Sequence, residues 1–221
     1  GLPLTAISII GAYTDLRTAI VFIAIPVVVT NLYQAFQGGR AGEMLRKYWL
    51  INLFSVIGTV VGAQILFIVD PLILTTTLGV VVVIYVLINV TQFRISISDR
   101  ANLWAVPPLG LLSGLLTGTT GSVGIPIALY LQARDIDKES FLRAIALTFL
   151  ISASFLVLAL VERNAFTQQD LVVSAISLVP AFLGMAIGQK LRGHLSEERF
   201  RHFVYLFLLL AAANLIRKGL F

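Results

Sequence analysis

Seven apolar runs, each close to the roughly 20 residues that cross a bilayer as a helix, constrain this chain more than any other feature: 19–36, 48–69, 72–90, 101–116, 141–161, 171–187 and 203–216. Backbone N–H and C=O groups in hydrocarbon must be satisfied within the segment, and a helix does that. The expected fold class is therefore all-α, a polytopic transmembrane helical bundle. Composition agrees: 58% of the residues are hydrophobic and 12% charged, about half the charged share of a soluble domain. The net charge of +5 does not indicate nucleic acid, because the basic residues are scattered through short loops beside apolar runs, where they act as orientation signals. The lipid bilayer is the partner this composition requires. Without a cysteine there is no disulfide and no thiolate ligand set.

One stretch breaks the pattern. Residues 118–126 read Gly-Thr-Thr-Gly-Ser-Val-Gly-Ile-Pro between the apolar segments 109–117 and 127–131, which suggests two half-helices meeting at an unwound tip. Irregular backbone at membrane depth is tolerated only where protein buries it or a watery cavity meets it. The glycines at 118, 121 and 124 supply unusual dihedrals, and Pro126 suits the first turn of a new helix, where its missing N–H costs nothing. The N–H groups of residues 121–124 would then face an anion at the positive end of the second half-helix. Thr119, Thr120 and Ser122 would add hydroxyl donors. The structural alternative is a glycine-rich hairpin packed for space alone.

The order of parts repeats. Gly1-Leu-Pro3-Leu matches Gly124-Ile-Pro126-Ile, Gly58 and Gly62 match Gly184 and Gly188, and Asp70-Pro71 corresponds to Ser196-Glu197. The two expected units are residues 1–93 and 101–221. Charge indicates how they are related. If the broken segment returns to the side it came from, one side carries 12 Lys/Arg (Arg40, Arg46, Lys47, Arg94, Arg100, Arg134, Lys138, Arg143, Lys190, Arg192, Arg199, Arg201) against 4 on the other (Arg17, Arg163, Arg217, Lys218); if it crosses, the sides carry 8 each. The positive-inside rule favours the first arrangement, hence inverted-topology repeats with the basic side cytoplasmic. Nothing in the first unit corresponds to 101–123, so an N-terminal half-helix is expected ahead of Gly1. Gly1, Pro3 and Thr5 form the symmetry mate of the tip, and the two tips should face each other.

Inverted repeats with broken helices are a build of secondary transporters. Asn31, Thr30 and Gln34 are polar groups within a span and candidates for lining a pathway. Each alone reads equally as a helix-to-helix hydrogen bond. The Gly58/Gly62 and Gly184/Gly188 pairs read as close-packing surfaces, which permit a homodimer without requiring one. No charged side chain lies deep in a span, so the usual proton-relay carboxylate is missing, and Asp15, Asp70, Glu162 and Lys190 read as span-end residues. Arg143, near the start of its span, could draw anions to the cytoplasmic mouth. An enzyme is not expected: His194 and His202 lack metal-ligand spacing with acids, and no serine has a base partner within the membrane. Neither a metal nor a cofactor is called for. The glycine spacing at 118, 121 and 124 is no dinucleotide fingerprint, because no strand precedes it.

Taken together, the Gly-rich tip followed by Pro in each half, the Glu139-Ser-Phe-Leu-Arg143-Ala segment, and the Gly184-Met-Ala-Ile-Gly188 run with its basic sequel to Phe200 resemble the TauE/SafE sulfite exporter family of membrane permeases. The resemblance covers essentially the whole chain and rests on the order of the motifs. It implies a permease for sulfite, another sulfur-containing anion or a small organic acid, in a bacterial or archaeal inner membrane. Thr119, Thr120 and Ser122 stand where that family often has further glycines, adding donors and narrowing the space. The expected site is Thr119, Thr120, Gly121, Ser122, Gly124 and Pro126 with Gly1, Pro3, Thr5 and Asn31, working by alternating access. An uncoupled anion channel and a non-transporting membrane subunit are the alternatives.

Overall fold

The computed structural model describes residues 2–37, 39, 41–91, 99–121, 124–134, 136–194 and 197–220. These form ten α-helices and no strand: α1 (Leu2–Tyr13), α2 (Leu16–Phe36), α3 (Ala41–Ile68), α4 (Pro71–Val90), α5 (Asp99–Thr120), α6 (Ile125–Ala133), α7 (Lys138–Glu162), α8 (Gln168–Ile176), α9 (Leu178–His194) and α10 (Glu197–Leu220). Six stretches of helix are long and apolar enough to cross a membrane, α8 and the apolar part of α9 counting together as one. The seventh apolar run, within α5, falls short of that hydropathy despite the helix's length.

Helix starts follow from local chemistry. Asp15 caps α2, its carboxylate accepting from the Thr18 N–H at 3.1 Å and the Thr18 hydroxyl at 2.6 Å. Asp70 accepts from the Leu72 N–H at 2.8 Å, with Pro71 in the first turn of α4. Asp137 takes the N–H groups of Glu139 and Ser140, and Thr167 with Asp170 forms a reciprocal capping box on α8. Each satisfies donors that a helix start leaves orphaned. The carboxylates of Asp15 and Asp70, two of the span-end acids, thus serve as caps. In α2, Pro26 cannot donate to the Phe22 carbonyl. The Ser174 hydroxyl of α8 donates to that carbonyl instead, at 2.9 Å, so the break in the helix ladder becomes a tie between helices.

Contacts at the helix ends give the directions of the chain. Arg17, at the start of α2, donates to the Leu66 and Val69 carbonyls at the end of α3 and lies over the Phe67 ring. Arg163, just after α7, reaches Gln64 and the same ring. Lys218, near the end of α10, donates to the Gly11 and Thr14 carbonyls where α1 stops. Cations at helix C-termini complement the negative end of the macrodipole. At the opposite end, Ala35 of α2, Met44 and Tyr48 of α3, Tyr130 and Leu131 of α6, and Ala144 of α7 share one core.

α5 runs parallel to α3. A Cβ at Gly58 would run into the Leu111 carbonyl and one at Gly62 would sit 2.5 Å from that of Leu115, while Gly110, Gly114 and Gly118 meet Ile51, Ser55 and Thr59 in turn. Glycines on both helices bring the backbones into direct contact, the small-residue packing expected where lipid supplies no hydrophobic drive. α5 thus starts at the Tyr48 end and climbs to the level of Ala63. α6 then returns to the Tyr48 end, so α5 and α6 form a re-entrant hairpin. Gly184 and Gly188 differ from the expectation for them: nothing among the described residues comes within 4 Å of a Cβ at either.

Candidate functional site

α5 stays helical through Thr120, two residues further than the glycine at 118 suggests. The helix tolerates Gly118 because that residue is pressed against Thr59 and Ala63 of α3. The turn begins at Gly121 (φ +64°) and Gly124 stands at φ +97°, both in the left-handed region that glycine enters without strain. The Gly121 N–H closes the last bond of α5 on the Thr117 carbonyl at 2.9 Å, and the Gly124 carbonyl accepts the first bond of α6 from Ala128 at 2.7 Å. Gly124 is the N-cap of α6 without any side-chain cap, and Pro126 follows in the first turn. Gly124 itself thus brings no side chain to the first-turn N–H groups of α6.

These N–H groups belong to a helix start that borders a cavity of about 330 Å³, at the small end of the range for ligand sites. Its wall takes Pro3 from the first turn of α1, Thr30, Asn31 and Gln34 from α2, Tyr85 from α4, Gly124, Ile125, Ala128 and Gln132 from α6, Phe141, Leu142, Ile145 and Phe149 from α7, and Val204 and Leu208 from α10. The starts of two short helices, α1 and α6, thus open on the same space. Helix starts carry positive partial charge from unpaired N–H groups. Among the described residues the rest of the wall is apolar or neutral and polar, with no Asp, Glu, Lys, Arg or His.

The polar wall residues are held by local bonds. The Thr30 hydroxyl donates to the Pro26 carbonyl at 2.7 Å, and the Asn31 amide donates one N–H to the Val27 carbonyl at 2.8 Å. That bond fixes the buried Asn31 side chain and leaves its second N–H and its oxygen. The Gln34 amide N–H contacts the Met185 sulfur at 3.3 Å, again with a donor left over.

The cavity brings together Pro3, Asn31 and Gly124 of the expected site, with Thr30 and Gln34. It does not gather the whole set. Thr119 and Thr120 are buried on α5, their hydroxyls donating back to the Leu115 and Leu116 carbonyls at 2.7 Å each. Gly121 packs against Ile20 of α2 and Ile7 of α1, and Pro126 is buried behind the wall. Thr5 lies in the first turn of α1, and Gly1 and Ser122 lie outside the described residues. Tyr85, Gln132 and Phe149 are wall residues that sequence reasoning missed. Gln132 follows an apolar run at a helix end, and Tyr85 is the single hydroxyl-bearing ring in the run 72–90; both signals are faint. Arg143 is not on the wall, and its guanidinium is paired with Glu139 at 2.8 Å.

A second group of polar atoms lies inside the bundle. Ser55 of α3 and Ser152 of α7 share a hydrogen bond of 2.8 Å. On α3 and α5, the Tyr48 hydroxyl, both amide atoms of Asn52 and the Ser113 hydroxyl are buried without a partner among the described residues.

No curated protein and no solved structure matches this chain. The sequence model of one family, described as Sulfite exporter TauE/SafE, matches residues 1–215. A match over nearly the whole chain, together with six helices fit to cross a bilayer, identifies a multi-pass membrane transporter that belongs to the TauE/SafE sulfite exporter family.

Proposed function

We propose that the cavity between α1, α2, α6 and α7 is the anion site of this transporter, and that its substrate is sulfite or another small sulfur-containing or organic anion. The observation that carries the reading is the convergence of the α1 and α6 helix starts on one cavity whose polar lining is neutral. A helix start contributes roughly 0.3–1 kcal/mol to a nearby anion, and up to about 2 in partly buried geometry. Neutral amide donors add direct hydrogen bonds without a fixed cation that would hold the anion too long. An uncharged wall thus suits a solute that must leave as well as enter.

Two units of opposite orientation, rocking about the α3–α5 glycine contact, would open the site alternately to each side. The end rich in Lys and Arg would face the cytoplasm, and the membrane would be the inner membrane of a bacterium or archaeon. An uncoupled facilitator is the second reading. It is favoured by the absence of any Asp, Glu, Lys, Arg or His from the described wall residues, the ordinary proton carriers.

The test is flux in proteoliposomes loaded with sulfite, thiosulfate, sulfoacetate or a plain carboxylate, with Asn31→Leu alongside. A hydrogen bond to a charged group contributes about 1.5–3 kcal/mol, so loss of the Asn31 donor should weaken apparent anion affinity by roughly 10-fold to 100-fold. Anion binding by Asn31→Leu equal to that of the unsubstituted protein would remove this cavity from consideration. Uphill anion movement driven by a proton or sodium gradient would exclude the facilitator.

A further inference from the structure

Thr59 of α3, Thr117 of α5 and Thr148 of α7 are buried, and each donates its hydroxyl proton to the carbonyl four residues back, at 2.8, 2.9 and 3.0 Å. That is the ordinary habit of a threonine in a helix. Asn52 of α3 and Ser113 of α5 behave otherwise. Both amide atoms of Asn52 and the Ser113 hydroxyl have no partner among the described residues, although the two residues are 4% and 0% exposed. A polar group left unmade at such depth costs more than a formed hydrogen bond gains, so these atoms are built to meet something other than their own helices.

Register gathers them. Asn52 and Ser55 stand three apart on α3 and share one face. Gly110 of α5 lies against the Ile51 carbonyl and Gly114 against that of Ser55, which sets Ser113 at the height of Ser55 on the parallel helix. From α7, Ser152 meets the Ser55 hydroxyl at 2.8 Å. The anion cavity lies on the other side of α6: Ile125, Ala128 and Gln132 face that cavity, while Ile127, Tyr130 and Leu131 join the core that holds Tyr48 and Ile51 of α3.

We propose that Asn52, Ser55, Ser113 and Ser152 form a binding site for a sodium ion, set behind α6 from the anion cavity. The amide oxygen and three hydroxyl oxygens are hard, neutral ligands drawn from three helices. A divalent cation calls for carboxylates, and a carried proton calls for a group that titrates near the working pH; none of the four residues is either. An anion would face the Asn52 oxygen as a like charge. Sodium satisfies that oxygen directly and brings water to which the Asn52 N–H groups donate. A cation and an anion on opposite sides of one short helix each favour the binding of the other, and that linkage is reciprocal. The site would thus supply the coupling ion that the uncharged cavity wall does not, which decides against the uncoupled facilitator. It goes beyond the anion-site reading and stands without it.

The experiment measures the melting temperature of the purified protein in sodium chloride and in choline chloride at equal ionic strength, with no sulfur anion or carboxylate present. Sodium about tenfold above its Kd should raise the melting temperature by roughly 3–5 °C. Asn52→Ala and Ser113→Ala should each remove most of that difference, whatever they do to the melting temperature common to both salts. Thr75→Ala, which deletes a buried hydroxyl of α4 bonded to the Pro71 carbonyl, should keep the difference. Should Asn52→Ala fail to fold, Ser113→Ala and direct binding of radioactive sodium to the unsubstituted protein carry the test. Equal melting in the two salts, the result expected of a site filled by water alone, would overturn the proposal, as would a sodium response that survives in Ser113→Ala. The response is read without the transported anion, so its failure is distinct from a failure of the flux assay on Asn31→Leu.

Discussion

Gly124 lies directly against the ring of Phe149, and it does so at φ +97°. The start of α6 thus depends on a missing side chain twice over, once for the backbone angle and once for the space. The same residue lines the cavity, so the constraint on the fold and the constraint on the site coincide at one position.

Alanine at Gly124 should separate these two effects. The left-handed angle costs roughly 1–2 kcal/mol for a residue with a Cβ, and displacing the Phe149 ring adds roughly 1–3 kcal/mol. Phe149→Ala in the same protein should recover the second contribution only. Thermal unfolding in detergent of the two single variants and the double variant measures the coupling; strict additivity would show that the ring moves away freely.

Ser174 and Pro26 form a second pair whose coupling can be measured. Ser174→Ala leaves the Phe22 carbonyl without its donor and should cost about 1 kcal/mol. Pro26→Ala restores a backbone N–H that can reach that carbonyl, so Ser174→Ala should become nearly neutral in that background. An unchanged cost would mean that the serine stabilises the α2–α8 contact by packing.

The α3–α5 contact should be intolerant of a single methyl group. A Cβ on Gly114 would strike the Ser55 carbonyl and come within 2.7 Å of the Thr59 N–H, and two backbones have no rotamer with which to yield. Gly114→Ala should lower stability by about 1–3 kcal/mol. Gly42→Ala, where nothing lies within 4 Å, should cost nothing. Equal melting temperatures for the two variants would contradict the direct backbone packing.

Acid should weaken the helix caps in a defined direction. Partial burial pushes the Asp15 carboxyl up, but the Thr18 hydroxyl and the N–H groups of Thr18 and Arg17 outweigh it and hold the group below its ordinary value. At Asp137, the hydroxyl and N–H of Ser140 have the same lowering effect. Groups depressed in the fold contribute stability that is fully present above the unfolded value, about 3.9 for Asp, and that is lost as pH falls through the lower folded value. The melting temperature should therefore drop below about pH 4, and Asp15→Asn with Asp137→Asn should flatten that drop. Unaltered acid dependence in the double variant would assign it to other carboxylates.

Much of the fold was legible because its signals are local. Apolar runs, Asp or Thr before a helix, and the Gly121 to Pro126 break each act within a few residues, and lipid leaves the backbone no alternative to helix. The helices begin and end close to where those signals lie. The candidate site was only partly legible. Thr119 and Thr120 have the chemistry of ligand donors, but a threonine in a helix returns its hydroxyl proton to the carbonyl four residues back when nothing competes, and both do so here. Tyr85 and Gln132 reach the cavity through the packing of α4 and α6 against helices distant in the chain.

The sequence by itself determined a membrane-spanning helical bundle with a break within residues 118–126, because span length and backbone satisfaction are properties of single segments. Only the tertiary structure decided which glycines are filled and which face open space, that the α1 and α6 starts share one cavity, and which polar groups line it. Those outcomes depend on how each helix is rotated and how closely its neighbours approach, and a helix's own residues supply only half of either.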